Sequence, residues 1–91
     1  MNTFTLTVAT PNGTAWSGKI VMLSLRGIAG DLAVMAGHIP FVTSVKACDV
    51  KIELADEAES QRIGYTDGGL LTVMRDRTIF LAGSFVWKDG E

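Results

Sequence analysis

The sequence has one cysteine, one histidine and two prolines, and each scarcity closes off a class of protein. A lone Cys48 cannot form an internal disulfide, so the fold is not a disulfide scaffold and a reducing compartment suits it. With His38 as the only histidine, no second His, paired Cys or close carboxylate pair gives metal-ligand spacing. His38 on its own reads as a loop residue hydrogen-bonded locally or set at an interface. Lys and Arg number 8 against 10 Asp and Glu, a net charge of −2 with no basic run. A chain that tracks phosphates needs such a run, which argues against nucleic acid as a partner.

Long apolar stretches are also missing. The first charged side chain is Lys19, but the N-terminus has no basic leader, and Thr3, Thr5, Thr7 and Thr10 interrupt any apolar block. Leu32 to Val45 is uncharged yet holds Gly37, His38 and Pro40. A helix needs about 20 apolar residues to span a bilayer, so no spanning helix is expected.

What is present is a period of two. In FTLTVA, Phe4, Leu6 and Val8 alternate with Thr5 and Thr7; in VKIEL, Val50, Ile52 and Leu54 alternate with Lys51 and Glu53. Such alternation belongs to strands with one face buried and one wet. KIVMLSL, DLAVM, FVTSV, RIGYT, LLTVM and RTIFLA add further short runs, punctuated by Pro11-Asn12-Gly13, Asp67-Gly68-Gly69 and Arg75-Asp76. Strands recurring about every ten residues predict one all-β domain over residues 1–91, a flattened antiparallel β-sandwich or barrel of about eight to ten short strands. KIVMLSL lacks clean alternation, which suits a central strand covered on both faces or one whose outer face meets a partner. ADEAESQ (55–61) reads as a polar hairpin tip, and Trp16 and Trp87 as rim or core-edge residues.

Catalytic constellations do not assemble. Asp56, Glu57 and Glu59 share one exposed tip, whereas a glycosidase needs two carboxylates facing across a cleft. Gly68-Gly69 opens a strand, not the helix that binds phosphate in nucleotide folds. Ser17, Ser60 and Ser84 have no His and Asp partners around them, and Cys48 between Lys46 and Asp49 reads as semi-buried and structural. The stretch RGIAGDLAVMAGHIPF, with glycines at 27, 30 and 37, reads either as an irregular crossover or as an interaction surface. A mean hydropathy of +0.28 favours a hidden interface.

The order FTLTVATPNG, Trp16-Ser17-Gly18, KIVMLSLRGIAGDLAVMAGHIPFVTSVK and GYTDGGLLTVMRDRTIFLAG resembles the N-terminal β-sandwich domain of the epsilon subunit of F-type ATP synthases, called delta in mitochondria. The likeness runs over residues 4–83, and its most specific part is the block G-D-L-x-V-x-x-G-H-x-P, supported by G-G-x-L-x-V. The resemblance implies a flattened sandwich of about ten strands. It also implies a non-catalytic rotor subunit at the foot of the central stalk, against gamma and the polar loops of the c-ring. There it helps couple proton transport to ATP synthesis.

Carried over residue by residue, Asp31 and Thr10 match positions facing the c-ring, with Leu32, Val34 and Met35 supplying apolar contact. His38 and Thr43 match positions against gamma. No cofactor, metal or small-molecule substrate is implied. The expected location is peripheral, on the cytoplasmic face of a bacterial plasma membrane. Ala36 replaces the family's proline before Gly37-His38, and Ala47-Cys48 stands where the family has Pro-Gly. The family commonly continues into a two-helix C-terminal domain, which these residues cannot form, so neither nucleotide binding nor helix-mediated inhibition is expected of them. The alternative class is a small β-type carrier or protein-interaction module. A carrier needs a lysine displayed at a hairpin tip, where Lys46, Lys51 and Lys88 are not expected.

Overall fold

A computed structural model describes residues 2–55 and 61–88. Among them run nine strands: β1 (Phe4–Thr10), β2 (Gly13–Gly27), β3 (Gly30–Met35), β4 (Phe41–Val45), β5 (Cys48–Leu54), β6 (Gln61–Thr66), β7 (Gly69–Val73), β8 (Arg77–Ala82) and β9 (Phe85–Trp87). The eight runs read from the sequence are all there. The ninth, β9, is a three-residue strand paired only to β6. The acidic residues Asp56, Glu57 and Glu59 lie outside the described residues.

The strands follow one another in the order β1-β8-β7-β4-β2-β5-β6-β9, with β3 paired to β2 and β1 also paired to β2. The fifteen-residue β2 joins the two layers of the sandwich: its first half pairs with β1, its second half with β3 and β5. One pairing departs from the antiparallel expectation. β1 and β8 run parallel, with Leu6 beside Thr78 and Val8 beside Phe80.

Alternation places the core. Phe4, Leu6 and Val8 of β1, Val50 and Ile52 of β5, Leu71 and Val73 of β7 and Phe80 of β8 are buried. Each such side chain taken from water contributes about 1.5–3 kcal/mol. The broken alternation of KIVMLSL has a local cause. Ile20 pairs with Leu54 and Met22 with Glu53, so Val21 is an extra residue, a β-bulge. The buried set therefore changes parity, from Ile20 to Leu23 and Leu25. The strand is central, as read, but the bulge accounts for the continuous apolar run. Thr66 is fully buried, and its hydroxyl donates to the Ser84 carbonyl at 2.8 Å and accepts from the Gly68 N–H at 3.1 Å. No described helix is long and apolar enough to cross a membrane.

Candidate docking surface

The glycine-rich stretch after Arg26 is a regular hairpin, not an irregular crossover. Met22 to Gly27 of β2 pair residue by residue with Met35 to Gly30 of β3, and Ile28-Ala29 form the turn. A Cβ at Gly27 would lie 2.7 Å from Leu32 Cδ2, the tip of a flexible side chain that packs over the glycine and can shift aside. Leu32 thus folds back, half-buried, against the core. Val34 is only 1% exposed and belongs to the core, so it cannot supply surface contact as the resemblance implied. The large apolar side chains that the hairpin does offer to solvent are Ile28 and Met35, and Ile39 just beyond it is also exposed.

Arg26 stands directly across the hairpin from Asp31. Its Nε donates to Asp31 Oδ1 at 2.9 Å, and both side chains are exposed. That hydrogen bond, then the carboxylate's charge, raises the Arg26 pKa above its ordinary value. The Arg26 backbone is fixed from two sides: its N–H donates to Cys48 Sγ at 3.3 Å, and its carbonyl accepts from the Lys46 N–H at 2.9 Å. Ile28 N–H donates to the Ser44 carbonyl at 3.0 Å, so the turn leans on the end of β4.

Strand register relates Thr10 to this hairpin. Ala9 pairs with Leu81, Leu81 with Leu70, Leu70 with Ser44, and one step further Val45 pairs with Gly27. Thr10 and the 27–30 turn therefore lie toward one end of the sandwich. Thr10 Oγ1 accepts from the Asn12 N–H at 3.2 Å and lies 3.3 Å from the Gly13 carbonyl, shaping its own turn.

His38 lies in the exposed connection before β4. Its Nδ1 is 2.9 Å from the Ile39 carbonyl, and its ring packs on Phe41 with centroids 4.9 Å apart. Thr43 is half-buried, on the same side of β4 as Phe41 and Val45. The residues that β4 turns outward are Val42 and Ser44. Val42 is 60% exposed, and on the neighbouring strands Leu70 is 40% and Leu81 50% exposed. Register puts them on one outer face of β4-β7-β8, with half-buried Ile79 completing it. None of the four entered the sequence reading. For Leu70, Ile79 and Leu81 the signal was adjacent apolar residues, Leu70-Leu71 and Ile79-Phe80-Leu81, which leave hydrophobic side chains on both faces of a strand.

Cys48 is half-buried, serving as the acceptor for Arg26. Lys46 lies between β4 and β5, which do not pair with one another; Lys51 is within β5; Lys88 Nζ donates to Asp49 at 3.0 Å. None occupies a hairpin tip. An open groove of about 580 Å³ runs beside the hairpin, with Arg26 and Asp31 on one wall and Asp49 and Lys51 on the other. Among the described residues no group of three His, Cys, Asp or Glu side chains gathers.

Residues 3–88 match the family described as "ATP synthase, Delta/Epsilon chain, beta-sandwich domain". The chain is 35% identical over 82 residues to the sodium-ion-specific ATP synthase epsilon chain of Propionigenium modestum, covering 90% of this chain and 58% of that one. It is 32% identical over 82 residues to the ATP synthase epsilon chain of Brevibacillus brevis, covering 90% and 61%. The chain thus spans about three fifths of the length of these relatives. By shape, it matches a chain of the mitochondrial ATP synthase of Euglena gracilis, in a structure of OSCP, F1 and c-ring, with a TM-score of 0.86 at 16% identity, covering 98% of this chain and 56% of that one. A chain from the central stalk and c-ring of the Tetrahymena thermophila enzyme gives 0.75 at 12% identity, covering 92% and 66%. The structural likenesses show a shared fold, and the sequence matches show more: this chain belongs to the ATP synthase delta/epsilon family, through its β-sandwich domain.

Proposed function

We propose that the chain is a non-catalytic rotor subunit of an F-type ATP synthase, seated on the central stalk between gamma and the c-ring. The observation that carries this reading is the family match over residues 3–88, joined to a surface suited to docking. Val42, Leu70 and Leu81 form an exposed apolar face on β4-β7-β8; of the positions carried over to gamma, Thr43 lies on β4 with its side chain on the opposite side of the strand, and His38 lies in the connection that leads into β4. At one end of the sandwich the Asp31 hairpin and Thr10 offer polar groups to the loops of the ring, with Leu32 behind them. Apolar burial then supplies affinity for gamma, while polar groups at the end fix register on the ring. The subunit would couple ion flow to ATP synthesis by holding the stalk to the ring. It would be peripheral to the energy-transducing membrane, on the cytoplasmic face in a bacterium, with no cofactor.

The test is direct mixing with the cognate gamma subunit, read by co-elution and affinity. One-to-one binding that is weakened by changes at His38 and Thr43 supports the stalk role. Absence of binding at about ten micromolar, a free energy near −7 kcal/mol, would leave a shared sandwich with another use. Asp31→Arg is expected to keep the fold and weaken docking on the ring, since exposed single changes disturb folding little.

A further inference from the structure

We propose that Arg26 and Asp31 act as one zwitterionic docking element, with Arg26 a specificity-determining residue for the partner loop that the hairpin accepts. The inference rests on the rotor reading above and deepens it. A lone acid at position 31 would serve as an anionic knob for basic loops. The geometry describes something else, because Arg26 Nε already holds Asp31 Oδ1 at 2.9 Å across adjacent strands.

Stability does not account for the pair. Both side chains are exposed, and solvated ion pairs contribute little to folding. Yet the arginine is set with care, its backbone tied to Cys48 Sγ on one side and to Lys46 N–H on the other. A fixed post carrying an exposed guanidinium suits recognition.

The electrostatic consequence follows from the distance. Opposite unit charges 2.9 Å apart nearly cancel within the Debye length of about 8–10 Å, so the tip does not steer a basic loop from afar. Recognition is left to contact. Guanidinium has five N–H donors and only Nε is engaged, so the Nη groups remain available among the described residues. Asp31 Oδ2 remains available as an acceptor. Side by side, these groups accept a loop that brings a donor and an acceptor together; Arg26 repels a loop that brings cationic charge alone. The far wall of the adjoining groove repeats the pattern, with Asp49, ion-paired to Lys88, next to Lys51.

The experiment measures the affinity of the chain for gamma alone and for gamma assembled on its c-ring; the ratio is the gain due to the ring. The variants are Arg26→Gln, Asp31→Asn and the double change. The expected result is that either single change lowers the gain by about five- to tenfold, and that the double change is no worse than either, as for groups acting as a unit. Affinity for gamma alone should be unchanged in all three, which also shows that they fold. Two results would overturn the proposal while leaving the ring contact standing: a gain that is unchanged or increased in Arg26→Gln, or strictly additive losses. If the unaltered chain shows no ring-dependent gain, the hairpin does not face the ring and the proposal falls with that contact. If it does not bind gamma at all, the rotor reading itself fails.

Discussion

Trp16 and Trp87, from strands near opposite ends of the chain, meet edge to face with ring centroids 6.0 Å apart and planes at 87°. Trp87 also takes Phe85 in a T-shaped contact at 5.0 Å, and the Arg62 guanidinium lies 3.7 Å from its ring centroid. The three-residue β9 pairs with only one strand, so its backbone bonds alone hold it weakly. Its aromatic side chains lock it in place. They do so by burying apolar area and by matching ring edges to ring faces.

Trp87→Ala is therefore expected to cost about 2–4 kcal/mol, near the lower part of the range for large aromatic truncations because the ring is half-buried. Urea unfolding followed by far-UV dichroism measures it, with Trp16 fluorescence reporting the loss of its neighbour. An unchanged midpoint would show that β9 is held by something other than this cluster.

How much of this was legible in the sequence depends on whether the determinant was local. Phe4-Leu6-Val8 and Val50-Ile52 revealed their inward faces because nothing interrupts a period of two there. Ile20 to Leu25 did not, because the bulge at Val21 reverses parity, and a bulge is fixed by register with a partner strand. β9 was missed because three residues are too few to show a period, and the β1–β8 parallel pairing joins segments far apart in the chain. At the proposed docking surface, Asp31, Thr10, His38 and Thr43 came from resemblance, and Arg26 entered only with the cross-strand register that sets it against Asp31. The meeting of Trp16 with Trp87 needed the same long-range information.

Gly69 tests the packing between β7 and β8. A Cβ there would overlap the Leu81 carbonyl oxygen and approach Ala82 Cα at 2.9 Å, both backbone atoms that cannot swing aside. Gly69→Ala should then separate two paired strands, costing about 3 kcal/mol or more, at the high end of what overpacking costs. Thermal unfolding reads the effect. A shift within experimental error would mean that the Gly69–Ala82 pairing yields without loss.

Core truncation should be silent in docking. Ile52 and Leu71 are fully buried, so Ile52→Ala and Leu71→Ala each remove packing that nothing replaces, at about 2–5 kcal/mol. Neither side chain reaches the surface. With the folded fraction measured in parallel, the affinity of the folded molecules for gamma should equal that of the unaltered chain. A loss of affinity beyond the unfolded fraction would mean that the core transmits strain to the docking faces.

The outer face of β4-β7-β8 gives the converse expectation. Val42 and Leu81 are 60% and 50% exposed, and threonine in their place is a β-branched residue suited to strands. Val42→Thr and Leu81→Thr should each move stability by no more than about 0.5 kcal/mol, because neither side chain contributes to the core. In the complex the same atoms would leave water, and at about 25 cal/mol per Å² the double variant should lose roughly tenfold or more in affinity for gamma. The gain from the ring should persist, because Arg26 and Asp31 sit on the β2–β3 hairpin and are not among the side chains of this face. Unaltered affinity for gamma in a folded double variant would remove β4-β7-β8 from the interface and move gamma to another side of the sandwich. Loss of the ring gain together with gamma affinity would show instead that one surface serves both partners.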